Sequence, residues 1–76
     1  MISVIIVTYN SNEYIYKCLD SIYKNLSENI NFEVIIVDNG SSVKLELNNY
    51  VNLKAIINNK KFGYSKALNQ GVASSE

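Results

Sequence analysis

The sequence predicts an α/β fold in which three parallel strands alternate with three helices, β-α-β-α-β-α, packed in three layers. Three observations predict it. Val4-Ile5-Ile6-Val7 and Val34-Ile35-Ile36-Val37 are runs of four β-branched residues without polar alternation, the pattern of strands covered on both faces in a parallel sheet. The segment between them has helical apolar spacing and is long enough for a crossover. Each run ends in polar, turn-forming residues, Thr8-Tyr9-Asn10 after the first and Asp38-Asn39-Gly40-Ser41-Ser42 after the second, which is where open α/β sheets bind ligands. Two readings of these ends stay open: half of a nucleotide site, or an ordinary βαβ unit with polar loops.

After the first strand, Asn10 and Glu13 have the spacing of a capping box, with Asn in place of the usual hydroxyl residue. A helix from about Ser11 to Leu26 is predicted. Tyr14, Ile15, Cys18, Leu19, Ile22, Tyr23 and Leu26 share its broad apolar face, and Lys17, Asp20 and Lys24 point elsewhere. Turn-formers between Ser27 and Asn31 return the chain to a second strand near Phe32 to Val37, joined to the first by a right-handed parallel crossover. Gly40 permits a positive φ, and either Ser41 or Ser42 can cap a short helix over roughly Val43 to Tyr50. Leu45, Leu47 and Val51 fit no single face of it.

The third strand, Leu53 to Ile57, carries Lys54 near its start and is read as peripheral. Asn58 to Phe62 form a polar loop, and Gly63 opens a last helix whose Tyr64, Ala67, Leu68, Gly71 and Val72 share a face. Ala67 and Gly71, one turn apart, let that helix lie close to the sheet. Two right-handed crossovers moving the same way give the strand order 3-2-1, which leaves the first strand at an edge. An apolar edge is a pairing liability. Residues 1–76 are therefore expected to be the front, nucleotide-binding part of a larger domain whose later strands cover that edge. Self-association through the strand 1 edge, with no nucleotide bound, is the alternative.

Composition narrows the classes. Seventy-six residues make at most one small domain, with marginal stability, since chains of about 60 residues bury only about 60% of their unfolded surface. Seven lysines balance seven carboxylates, with no arginine, no histidine and no basic run, so nucleic acid is not an expected partner. Cys18 has no partner for a disulfide or a thiolate metal site and is read as a small core residue. Neither a signal-peptide pattern nor a membrane-length apolar run is present in these residues, so a cytoplasmic location is expected. Neither G-x-G-x-x-G nor G-x-x-x-x-G-K-[ST] occurs, which weakens other nucleotide-binding α/β classes.

Four stretches in register, Ser3-Val4-Ile5-Ile6-Val7-Thr8-Tyr9-Asn10, Cys18-Leu19-Asp20-Ser21-Ile22, Glu33-Val34-Ile35-Ile36-Val37-Asp38-Asn39-Gly40-Ser41 and Phe62-Gly63-Tyr64 with Ala67-Leu68-Asn69-Gln70-Gly71, carry a resemblance. The chain resembles the amino-terminal segment of family 2 glycosyltransferases, inverting enzymes with the GT-A (Rossmann-like) fold that use nucleotide-diphosphate sugars. The resemblance implies that Thr8, Tyr9 and Asn10 line the nucleoside pocket and that Asp38 accepts a hydrogen bond from the imide N–H of uracil or thymine. It places Asn39, Gly40 and Ser41 beside the nucleoside, and Gly63 and Asn69, with Gly71, near the sugar diphosphate. Asp38 as a helix cap, and Tyr9 as a wedge between helix and sheet, remain the plainer alternatives.

Implied donors are UDP- or dTDP-sugars, and implied acceptors are saccharides or lipid-linked sugars in bacterial polysaccharide biosynthesis, with the enzyme in the cytoplasm or at the inner face of the membrane. Lys61 stands where relatives often have asparagine, and Leu68 where many have arginine, which leaves Lys60, Lys61 or Lys66 as candidate cations for the diphosphate; ordinary surface lysine is the commoner explanation of all three. The family's D-x-D motif and catalytic base are absent from these residues. No catalytic residue and no cofactor are therefore expected on this chain, and the Mg²⁺ or Mn²⁺ of the full-length enzyme is expected to be held beyond residue 76.

Overall fold

The computed structural model describes residues 1–25, 31–42, 45–47 and 50–75. Five elements follow one another: β1 (Ile2–Thr8), α1 (Asn12–Asn25), β2 (Phe32–Asp38), β3 (Leu53–Ile57) and α2 (Tyr64–Ser74). All strands are parallel, and the order β1-β2-β3 is the expected 3-2-1 counted from the opposite edge.

β2 is the central strand. It pairs with β1 from Ile2–Phe32 to Thr8–Asp38 and with β3 from Val34–Leu53 to Asp38–Ile57. With strands on both edges and helices on both faces, Val34 to Val37 have no exposed surface. β1, expected to be covered on both faces, is only half-buried from Ser3 to Val7, because its outer edge has no strand beside it among the described residues. β3 is peripheral as predicted, with Lys54, Ala55 and Ile57 exposed.

The period-two alternation of strand side chains sorts the core into two layers. Val4, Ile6, Val34, Ile36 and Leu53 pack with Ile15 and Leu19 of α1, whereas Ile5, Val7, Ile35, Val37 and Ile56 pack with Ala67 of α2. Ala67 is fully buried, and a Cβ added to Gly71 would sit 2.5 Å from Ile5 Cγ2. The small pair therefore sets the helix directly on the sheet.

Both helices bury a narrower face than their apolar patterns predict. On α1, Ile15 and Leu19 are buried, but Tyr14 and Cys18 are exposed. Cys18 is thus not a core residue: it lines an open cavity of about 230 Å³ between α1 and the end of β1, with Ile6, Val7 and Thr8, instead of packing against the sheet. On α2, Tyr64 and Val72 are exposed, because the helix packs on β1 and β2 and presents that flank outward.

The helix expected over roughly Val43 to Tyr50 is not formed in its described part. Leu45 to Leu47 and Tyr50 have no regular structure. Leu45 is buried, Glu46 exposed and Leu47 half-buried, an extended alternation that puts both leucines on the α1 side of the core. Their spacing of two, which fits no helix face, fits this path. Leu26, most of the turn that follows it, residues 43, 44, 48 and 49, and Glu76 lie outside the described residues. Among the described residues, no helix is long and apolar enough to cross a membrane.

Candidate functional site

The register that pairs Thr8 with Asp38 brings the ends of β1 and β2 side by side. Asn39 N–H continues the ladder by donating to Thr8 O at 2.8 Å. Beyond it the two loops lock together through Asn10, whose N–H donates to Ser41 Oγ at 2.8 Å and whose Oδ1 accepts from Ser42 N–H at 2.7 Å. Asn10 adopts φ 50°, a left-handed conformation asparagine tolerates well. The predicted Asn10–Glu13 capping box is therefore not formed. Asn10 reaches sideways to the second loop, and the Ser11 carbonyl accepts the first bond of the helix, from Ile15 N–H at 2.9 Å.

Asp38 is 3% exposed, and its Oδ1 accepts from Ser41 N–H, three residues on, at 3.0 Å, folding the loop back onto the strand end. Oδ2 accepts no hydrogen bond among the described residues. Thr8 is also buried, whereas Tyr9 is 42% exposed at the rim.

A third segment, 58–62, is fastened to this end of the sheet by side-chain amides. Asn39 donates from Nδ2 to Phe62 O at 2.8 Å and accepts from Phe62 N–H at 3.0 Å through Oδ1, mimicking a backbone pair. Asn58, whose N–H donates to Asp38 O at 2.9 Å, exchanges two side-chain hydrogen bonds with Gln70 of α2, at 2.9 and 3.0 Å. Gly40 has φ 94°, and a Cβ there would lie 2.9 Å from the Lys60 carbonyl carbon and 3.0 Å from Lys61 N. Two demands, a positive φ and a close backbone approach, thus exclude a side chain at position 40.

The loop so held and the first turn of α2 carry the site's cations. Lys61 Nζ lies 4.4 Å from the Tyr9 ring centroid, and the Phe62 ring has Lys66 Nζ at 4.2 Å and Lys60 Nζ at 5.5 Å. All three distances are within cation–π range.

Thr8, Tyr9, Asn10, Asp38, Asn39, Gly40 and Ser41 therefore meet at one end of the sheet. Gly63 adjoins them as the N-cap of α2, at φ −61° and with open space where a Cβ would point. Asn69 is exposed in the middle of α2, and among the described residues no hydrogen bond ties its side chain to these loops. Sequence reasoning missed Asn58 and Gln70. Asn58 follows an apolar strand just as Asp38 does, which was a usable signal; Gln70 had none. A cavity of about 480 Å³ lies on the α1 side of the loops, lined by Asn10 to Tyr14 and Ser42, and another of about 230 Å³ includes Thr8 and Tyr9. Neither is lined by Asp38. Among the described residues no three His, Cys, Asp or Glu side chains are grouped to hold a metal ion.

Chemically, this end of the sheet offers a carboxylate that can only accept, an aromatic face and a cationic rim. Residues 3–76 match the model of glycosyl transferase family 2. Over 80 aligned residues the chain is 34% identical to the glycosyltransferase AglE of Haloferax volcanii, which covers 97% of this chain and 26% of that protein, so the chain spans about a quarter of this curated relative. No solved structure matches. Because the family match takes in both strand ends, the loop that joins them to the lysines, and α2, the chain belongs to glycosyl transferase family 2.

Proposed function

We propose that this chain supplies the nucleoside part of the donor site for transfer of a sugar from a UDP- or dTDP-sugar to a saccharide or lipid-linked acceptor. The observation that carries the reading is Asp38, whose Oδ1 is held by Ser41 N–H while Oδ2 has no partner among the described residues, next to Thr8 and Tyr9. Uracil and thymine present an imide N–H donor to such an acceptor, and a charge-assisted bond of this kind is among the stronger ones. On this reading the exposed Tyr9 ring stacks on the base. Asn10 and Ser41 hold the two loops together, and Asn39 and Gly40 seat the third segment against them.

This reading leaves the Mg²⁺ or Mn²⁺ that the resemblance implies to residues other than these; among the described residues no three His, Cys, Asp or Glu side chains are grouped. On this reading the chain by itself binds nucleotide and does not transfer sugar. The other reading, an α/β module that pairs through β1 and binds no nucleotide, draws on the half-buried edge of that strand.

An amide NMR titration with UDP, dTDP, GDP and ADP, followed at Thr8, Tyr9, Asn10, Asp38 and Gly40, separates the two. Saturable shifts are expected with UDP and dTDP only. Asp38→Asn preserves an acceptor for Ser41 N–H but sets a donor amide against the base, and it should weaken binding by about 10- to 100-fold. A dispersed spectrum that no nucleotide perturbs would sink the reading.

A further inference from the structure

We propose that Lys61 is the residue by which this site distinguishes a nucleoside diphosphate from a nucleoside, exchanging its seat on Tyr9 for the diphosphate when a base stacks there. The inference rests on the nucleoside-site reading above.

Four observations carry it. The main chain of Lys61 is held against the end of β2 from both sides: Phe62 bonds at both N and O to Asn39, and Gly40 lets the Lys60–Lys61 backbone approach to the limit of contact. The side chain is not buried with it; Lys61 is exposed and its ammonium lies 4.4 Å above the Tyr9 ring. Residues 58–66 carry Lys60, Lys61 and Lys66 without a single carboxylate, and the described residues place no acidic partner on Lys61. Lys60 and Lys66 sit over Phe62, so Lys61 alone covers the ring at the end of β1.

A base and an ammonium group cannot share one face of Tyr9. A cation–π contact at an exposed ring is a weak one, whereas bonds between an ammonium and a phosphate are charge-assisted and roughly twice as strong as neutral ones. A nucleoside alone displaces Lys61 and gives it nothing in return. A nucleoside diphosphate displaces it and supplies an anion within reach of a side chain whose root is held at the end of β2. Lys61 therefore penalises the neutral ligand and favours the charged one from the same position.

The test compares uridine with UDP on the protein and on Lys61→Met, Lys61→Arg and Lys24→Met, by the same amide titration at low salt. Methionine retains much of the apolar stem, and Lys24, in the last turn of α1, controls for net charge. UDP is expected to bind about tenfold more tightly than uridine to the protein, to Lys61→Arg and to Lys24→Met, and the advantage should fall as salt is raised. Lys61→Met should lose the advantage, with uridine bound at least as well as before. An advantage that survives Lys61→Met, or that Lys24→Met removes equally, overturns the assignment of Lys61. Uridine shifts at Tyr9 and Asp38 report the base site separately. If uridine and UDP bind equally to the unaltered protein, only the lysine assignment fails; if neither binds, the nucleoside site fails with it.

Discussion

Asn39 is a polar residue at 3% exposure whose side chain is committed to other parts of the chain. Its amide makes both a donor and an acceptor bond to Phe62 and accepts a third bond from Asn58 Nδ2 at 3.3 Å. Asn39→Asp replaces the donor with an oxygen facing the Phe62 carbonyl, and leaving a buried partner unsatisfied costs about 1–3 kcal/mol. A lower urea midpoint at constant m is the expected result, together with faster exchange of the Phe62 amide. Unchanged stability with lost nucleotide binding would instead make Asn39 a ligand contact. The sequence showed Asp38, Asn39 and Gly40 because strand-end polar residues and glycine carry a local signal. It could not show the Asn58–Gln70 pair, whose two amides recognise each other across a loop and a helix turn that no periodicity links.

At the scale of elements, the contact between α2 and β1 turns on a single hydrogen atom. In isolation a helix prefers alanine to glycine by about 1 kcal/mol, so propensity alone makes Gly71→Ala stabilising. Here the added methyl would meet Ile5 Cγ2 at 2.5 Å, with Val37 Cγ2 at 3.4 Å. Ile5 Cγ2 is part of a stiff β-branched side chain in a strand, and overpacking of this kind costs about 1–3 kcal/mol. Net destabilisation is therefore expected, read as a lower thermal midpoint, and a rise in the midpoint would show that α2 can stand off the sheet. The strands, α1 and α2 were legible because each has one dominant period. The segment around Leu45 was not: Gly40 with the two serines resembles a helix start, but Asn10 and Asp38 take the Ser41 and Ser42 amides, and Leu45 and Leu47 then bury along an extended path.

For the whole molecule, the parallel sheet gives its two ends different work. At the amino end, Ser3 Oγ donates to Glu33 Oε2 at 2.6 Å, and Lys54 Nζ, 3.6 Å from Glu33 Oε1, donates to Ser74 O at 3.4 Å, fastening the end of α2 across all three strands. The carboxyl end holds the candidate site. What remains open is the side. Ile2 N–H donates to Asn31 O, and Thr8 O accepts from Asn39 N–H, so the even-numbered residues of β1 turn their backbone groups toward β2. Ser3, Ile5 and Val7 then turn theirs outward, and their placement was implied by strand order once two same-handed crossovers were read from the sequence. Hydrogen exchange in dilute solution should find the Val4 and Ile6 amides protected and those of Ile5 and Val7 fast. Protection of Ile5 and Val7 that grows with protein concentration would mean that a second copy adds a strand to this edge, because only pairing satisfies alternate amides selectively. Fast exchange at every concentration would leave the edge free for a strand from elsewhere, and protection in a dilute monomer would contradict an open β1.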